Sequence, residues 1–198
     1  SAPDTYMEKI VIGSNLPKNL MDIDNGVEKN IKLLAEAKSK KISDIKVCVL
    51  KRPRHDHIIK ILDKLNVKIN FITDGDIAGA LSVIGDKPKN DIYYSTGGGP
   101  EGVIVAAALS CYGGQIQGRL VLDEEEKIRA KKLGITDFKK KYNIDDMVKG
   151  DVIFCATGVT SGDLADGVKD LGNEYEVNSF VLHKSQNIVK TIKNIYNK

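Results

Sequence analysis

Four short segments concentrate the polar chemistry of this chain. Residues 51–56 (KRPRHD) bring Lys51, Arg52 and Arg54 within four residues, and Pro53 restricts the backbone that presents them. An arginine fork donates two parallel hydrogen bonds and so suits a phosphoryl group. The same residues would also make an ordinary solvated basic turn. Residues 73–76 (TDGD) set Asp74 and Asp76 on either side of Gly75. Short acids around a glycine can cap a helix, accept hydrogen bonds from sugar hydroxyls, or bind a divalent cation. Residues 97–102 (GGGPEG) are the sharpest signal. Gly97, Gly98 and Gly99 let the backbone approach a ligand. Pro100 then opens a helix whose free N–H groups favour an anion. Glu101, in the first turn, either offsets the helix dipole or holds a metal ion or substrate in a glycine-lined mouth. The segment is neither a Walker loop nor GxGxxG. Residues 156–163 (ATGVTSGD) offer Thr157, Thr160, Ser161 and Asp163, and read more simply as a structural turn. Taken together, the arginines suit a phosphoryl group and the carboxylates suit polyol hydroxyls or Mg²⁺/Mn²⁺. Such an ion neutralises phosphoryl charge and activates water. The chemistry points to a phosphorylated polyol and a metal-dependent phosphatase or transferase.

Each segment follows an apolar run: residues 45–50, 68–73, 91–96 and 151–156. Nearly continuous apolar runs of that length are expected of buried parallel strands. A further short strand is expected at 9–13. Helices are expected at 26–39, 57–65, 76–84, 100–112 and 123–133, the first with Val27, Ile31, Leu34 and Ala35 on one face. In the tail, 174–182 reads as an antiparallel strand. Residues 188–196, with Ile188, Ile192, Ile195 and Tyr196 at helical spacing, read as a last helix. Alternation of this kind predicts an α/β protein with a mostly parallel sheet. Right-handed crossovers then gather the strand C-terminal ends on one edge, where ligands bind. All four polar segments are expected there.

The chain has 198 residues, a formal net charge of +3, 41% hydrophobic and 29% charged residues. That composition suits a folded domain with a sizeable core and excludes a disordered chain. No apolar run approaches the roughly 20 residues of a membrane-spanning helix. The N-terminus lacks the marks of a signal peptide, so a cytoplasmic location is expected. Basic runs at Lys38, Lys40 and Lys41 and at Lys139, Lys140 and Lys141 are short and carry no interleaved aromatics, which argues against a nucleic-acid partner. Cys48, Cys111 and Cys155 sit in apolar runs and are expected as buried free thiols. His55, His57 and His183 have no zinc-like spacing.

The segments APDTYMEK, KRPRHD, TDGD, GGGPEGVIVAAAL, GGQIQGRL and FCATGVTSGDL, in this order, resemble the class II (GlpX-type) fructose-1,6-bisphosphatases. The resemblance runs from Ala2 to the C-terminus. It implies the layered α-β-α-β-α sandwich of sugar phosphatases, with a mostly parallel sheet and antiparallel C-terminal strands. It implies Mn²⁺- or Mg²⁺-dependent hydrolysis of fructose 1,6-bisphosphate to fructose 6-phosphate, in gluconeogenesis and glycerol metabolism, with sedoheptulose 1,7-bisphosphate as a second substrate of some members. Carried over residue by residue, it assigns Tyr6, Arg52, Pro53, Arg54, Asp74, Gly75, Asp76 and Gly98 to substrate binding and Glu101 to the metal. Arg52 stands where many members have lysine. Family chains begin well before APDTYMEK, and that earlier part carries most metal-binding carboxylates. The expectation is a C-terminal portion that keeps the sugar-phosphate pocket and hydrolyses poorly alone. An apolar face left uncovered would favour a homo-oligomer. A non-catalytic sugar-phosphate-binding module and an unrelated α/β transferase are the alternatives.

Overall fold

The computed structural model describes residues 4–162 and 164–198. Ala2, Pro3 and Asp163, which belong to the motifs above, lie outside the described residues. In chain order the elements are β1 (Tyr6–Ile12), α1 (Gly26–Ala37), β2 (Lys46–Leu50), α2 (Asp56–Lys64), β3 (Lys68–Ile72), α3 (Asp76–Leu81), β4 (Ile92–Gly98), α4 (Gly99–Tyr112) and β5 (Gln115–Val121). They continue with α5 (Glu124–Lys132), α6 (Ile144–Met147), β6 (Ile153–Thr157), β7 (Lys169–Asp170), β8 (Glu174–His183) and β9 (Ile188–Asn197).

The first sheet has the order β3-β2-β4-β1-β5. Strand β2 pairs in parallel with β3 and β4, whereas β1 is antiparallel to both β4 and β5. The sheet is therefore mixed but mostly parallel, with one reversed strand inside it. The second sheet is antiparallel: β8 carries β6 and β7 along one side and β9 along the other.

Side-chain alternation builds a separate core on each face of the first sheet. Ile10, Ile12, Val47, Val49, Ile92 and Tyr94 point toward α1 and α2, where Ile31, Leu34 and Leu62 are fully buried. Val11, Cys48 and Tyr93 point the other way, toward Leu81 of α3 and Val105, Ala106 and Leu109 of α4. Phe154 of β6 and Leu182 of β8 close that second core. Helix α4 is thus sandwiched between the sheets, so its sequence is apolar on all sides and rich in alanine rather than amphipathic. Among the described residues the layers run α-β-α-β, consistent with the α-β-α-β-α sandwich expected up to its last helical layer. The outer face of the second sheet leaves Ile153, Tyr175, Ile192 and Tyr196 exposed.

Most expected elements occur within a few residues of their anticipated limits. The acidic start of α5 is a capping box, in which Asp123 accepts from the Glu126 N–H and Glu126 accepts from the Asp123 N–H, both at 2.8 Å. Four expectations need correction. Residues 188–196 form strand β9, paired with β8 along its whole length; short apolar spacings fit either period, and Val189, Thr191 and Ile192 favour the strand. Residues 153–157 join the second sheet antiparallel to β8 instead of extending the parallel one. Residues 115–121, for which no element was expected, form strand β5, hidden by the polar residues that fill its alternate positions, Gln115, Gln117 and Arg119. Of the three free thiols only Cys48 is buried; Cys155 is exposed on β6.

Leu34→Ala should lower the free energy of unfolding by about 2–5 kcal/mol, because a fully buried leucine leaves a cavity. Ile128→Ala on α5, where the side chain is 58% exposed, should change it by no more than about 0.5 kcal/mol. Urea denaturation of both variants checks this, and equal losses would contradict the assignment of the core.

Candidate functional site

Strand direction decides which segments meet. Strands β2, β3 and β4 run the same way, so the turns after them (KRPRHD, TDGD and GGGPEG) emerge on one edge. Strand β1 runs the opposite way, so its beginning reaches that same edge: Tyr6 pairs with Gly98 on one side and Val121 on the other. The fourth segment does not join them. It follows β6 in the second sheet, where Thr157 hydrogen-bonds Ser179 at 2.8 Å and Ser161 accepts from the Gly167 N–H at 3.0 Å.

The arginine turn is fastened to β4 through a single residue. Regular β2–β4 pairing ends at Val49 and Tyr94. Beyond it, side chains take over the pairing. Arg54 Nε donates to the Thr96 carbonyl at 2.7 Å, and the Thr96 N–H donates to His55 Nε2 at 2.8 Å. His55 is fully buried, and its Nδ1–H donates to the Leu50 carbonyl at 2.6 Å. Burial holds the His55 pKa below the ordinary histidine value, which keeps Nε2 a neutral acceptor. The Arg54 guanidinium lies 4.8 Å from the centre of the exposed Tyr6 ring, a cation–π contact. Fixed at Nε and stacked on Tyr6, the guanidinium keeps its terminal N–H groups for an anion. Arg52 is exposed and its NH1 donates to the Lys51 carbonyl at 3.3 Å. Pro53 opens the short 3-10 turn that carries Arg54 and His55.

The acidic segment lies on the other face of the same edge. Gly75 takes φ +83°, a left-handed conformation that glycine adopts without strain, and so turns the chain into α3. Asp74 is exposed. The Asp76 carboxylate is held from two sides, with Oδ1 accepting from the Tyr93 hydroxyl and Oδ2 ion-paired to Lys9 Nζ. Burial, and then the Asp76 charge, push the Tyr93 pKa above the ordinary phenol range, so its hydroxyl stays a donor. Lys9 is 1% exposed, and its Nζ also donates to the Gly98 carbonyl at 3.0 Å. The absent side chain at Gly97 leaves room for Asp76, since a Cβ there would sit 2.5 Å from Asp76 Oδ2. The Glu101 carboxylate folds back over Gly98, into space a Cβ at 98 would occupy.

A continuous chain of contacts thus links Arg54, Tyr6, Gly98, Lys9 and Asp76, with Glu101 against Gly98. Asp74, Gly75, Arg52 and Pro53 lie on the loops that flank it. Lys9, His55, Tyr93 and Thr96 hold these residues in place and are not singled out by the sequence. In sequence Lys9 stands beside Glu8 in a strand whose two faces both carry apolar residues, so nothing local singles it out.

Glu101 could donate a carboxylate to a metal ion. Among the described residues, no group of three or more His, Cys, Asp or Glu side chains could hold one. The donor set they supply is therefore not a complete coordination shell for Mn²⁺ or Mg²⁺. A Ser–His–Asp grouping at Asp151, His183 and Ser185 is not a nucleophile relay either. The same nitrogen, His183 Nε2, faces both Asp151 at 2.8 Å and Ser185 Oγ at 3.2 Å, whereas a relay uses both ring nitrogens. A cleft of about 380 Å³ lies elsewhere, between Ala78, Leu81, Tyr112 and Phe180, and lacks the polar loops of the edge.

The His55 clamp implies a pH dependence. Below about pH 6.5 the unfolded chain takes up a proton at position 55 while the folded imidazole, held lower, does not. Stability from this group is full above that value and falls as pH drops toward the folded pKa. Denaturation midpoints measured from about pH 8 to pH 5 should fall more steeply for the natural chain than for His55→Gln. Parallel curves would contradict the clamp.

Comparison with known proteins gives the chain a family. The family described as bacterial fructose-1,6-bisphosphatase, glpX-encoded, matches residues 1–196. A class 2 fructose-1,6-bisphosphatase of Haemophilus influenzae is 35% identical over 210 aligned residues, covering 98% of this chain and 62% of the relative. Fructose-1,6-bisphosphatase 1 class 2 of Escherichia coli is 32% identical over 211 residues, covering 99% of this chain and 62% of the relative. The Shigella flexneri class 2 enzyme matches to the same extent. The chain thus spans 62% of the length of these curated relatives. With that family matching nearly end to end, the chain belongs to the GlpX family of bacterial fructose-1,6-bisphosphatases.

Proposed function

We propose that this chain forms the sugar-phosphate-binding portion of a class II fructose-1,6-bisphosphatase, which hydrolyses fructose 1,6-bisphosphate to fructose 6-phosphate and phosphate. The observation that carries this reading is the Arg54 guanidinium, fixed on Thr96 and Tyr6, beside the glycine turn that holds Glu101. The two ends of a sugar bisphosphate fit such a mouth. Arg54, with Arg52 beside it on the loop shaped by Pro53, binds one phosphate. Asp74 and Asp76, presented by the Gly75 turn, accept from sugar hydroxyls. Gly98 admits the ligand close to the backbone, and Tyr6 forms a wall of the site. Glu101 faces the reacting phosphoryl and gives one carboxylate to a divalent ion, Mn²⁺ or Mg²⁺. That ion, when bound, would neutralise phosphoryl charge and activate the attacking water. The remaining carboxylates come from parts of the family's longer chains that this chain does not match. Gluconeogenesis and glycerol metabolism in the cytoplasm are the setting, sedoheptulose 1,7-bisphosphate is a second substrate, and the exposed outer sheet supports a homo-oligomer. A sugar-phosphate-binding module without turnover is the second reading, favoured by the lack, among the described residues, of a cluster of three or more metal-ligating side chains.

Calorimetric titration with fructose 6-phosphate tests the reading. The chain should bind it, and Arg54→Ala should weaken binding by about tenfold or more, the cost of a charge-assisted phosphate contact. No binding, or equal binding by the variant, would refute it. With Mn²⁺ and fructose 1,6-bisphosphate the chain alone should release phosphate far more slowly than about 1 s⁻¹, and turnover at that rate would refute the partition of the metal site.

A further inference from the structure

Lys9 is buried between the TDGD loop and the glycine turn. Its Nζ ion-pairs with Asp76 at the start of α3 and donates to the Gly98 carbonyl at the β4–α4 junction. The lysine stem also runs against Gly102, where an added Cβ would lie 3.2 Å from Lys9 Cδ. A glycine of the GGGPEG segment therefore makes room for it. Tyr93 completes the arrangement by donating to the other Asp76 oxygen. A carboxylate has about four acceptor positions, so Asp76 held in this way can still accept from a sugar hydroxyl. A buried carboxylate deprived of its cation would present an uncompensated negative charge to an incoming phosphate.

We propose that Lys9 is a positioning residue of the sugar-phosphate site: it holds the TDGD loop against the glycine turn and cancels the Asp76 charge that would repel the phosphate. This inference rests on the sugar-phosphate reading above and adds a residue that contacts no ligand itself. Its effect passes through Asp76.

The test uses the full chain with Lys9→Met, Asp76→Asn and both together, titrated with fructose 6-phosphate at one ionic strength. Lys9→Met should weaken binding by about tenfold or more, and adding Asp76→Asn should tighten it again by about threefold or more, because the stranded charge is gone. Loss of packing alone would not be reversed by a second deletion. A double variant that binds no better than Lys9→Met, or a Lys9→Met variant with natural affinity, overturns the proposal. Thermal unfolding is followed on each variant. If Lys9→Met does not fold, Tyr93→Phe removes one Asp76 partner while keeping the ring, and should weaken binding about threefold or more; unchanged affinity overturns the proposal. If the natural chain binds and these relations fail, only the Lys9 role falls. If the natural chain does not bind, the sugar-phosphate reading falls as well.

Discussion

Backbone pairing of β1 between β4 and β5, against their direction, is the constraint on which the site depends. Three parallel strands alone would bring three turns to one edge. The reversed strand adds Tyr6 at the edge itself and, because side chains alternate, sends Lys9 to the opposite face three residues on. The site therefore straddles the rim of the sheet. Tyr6, Arg54 and Thr96 lie on the α1 and α2 side, and Lys9, Tyr93, Asp76 and Gly97 on the α3 and α4 side. A one-residue slip in the β1 register would exchange the faces of Tyr6 and Lys9 and part them from Arg54 and Asp76.

The two sides are held by different physics. On one, a neutral acceptor and a cationic donor bind backbone: His55 accepts from the Thr96 N–H and Arg54 donates to the Thr96 carbonyl, so the sheet continues through side chains. The geometry requires a histidine that stays neutral, which its burial supplies. On the other, a buried cation and anion compensate each other, with a tyrosine hydroxyl satisfying the carboxylate further. Such a pair contributes little net stability compared with an apolar pair of the same shape, but it fixes a geometry that apolar groups would not. Glycines at 97 and 102 serve the second arrangement by leaving space for Asp76 and Lys9, and Gly98 leaves space for Glu101.

Much of this was legible in the sequence. The strands at 45–50, 68–73 and 91–96 were readable from apolar runs, and the three turns after them from their composition. The direction of β1 was not, because alternation reports which residues face inward and says nothing of which way a strand runs. The antiparallel C-terminal strands were expected, but residues 153–157 were assigned to the wrong sheet for a related reason: they are as apolar as a parallel strand, and only their partner, β8, distinguishes them. Strand β9 was misread because Ile188, Ile192 and Ile195 fit a helical face as well as an extended hairpin arm. Lys9 and His55 were visible as residues, but their roles follow from Asp76 and Thr96, far away in sequence, and no local pattern encodes those contacts.

The most direct test of the convergence is to map fructose 6-phosphate onto the chain by amide chemical shifts. The account predicts that the largest changes fall together at Tyr6, residues 52–55, 74–76 and 96–102. Changes centred on the cleft between Ala78, Tyr112 and Phe180, or confined to one of those segments, would contradict it.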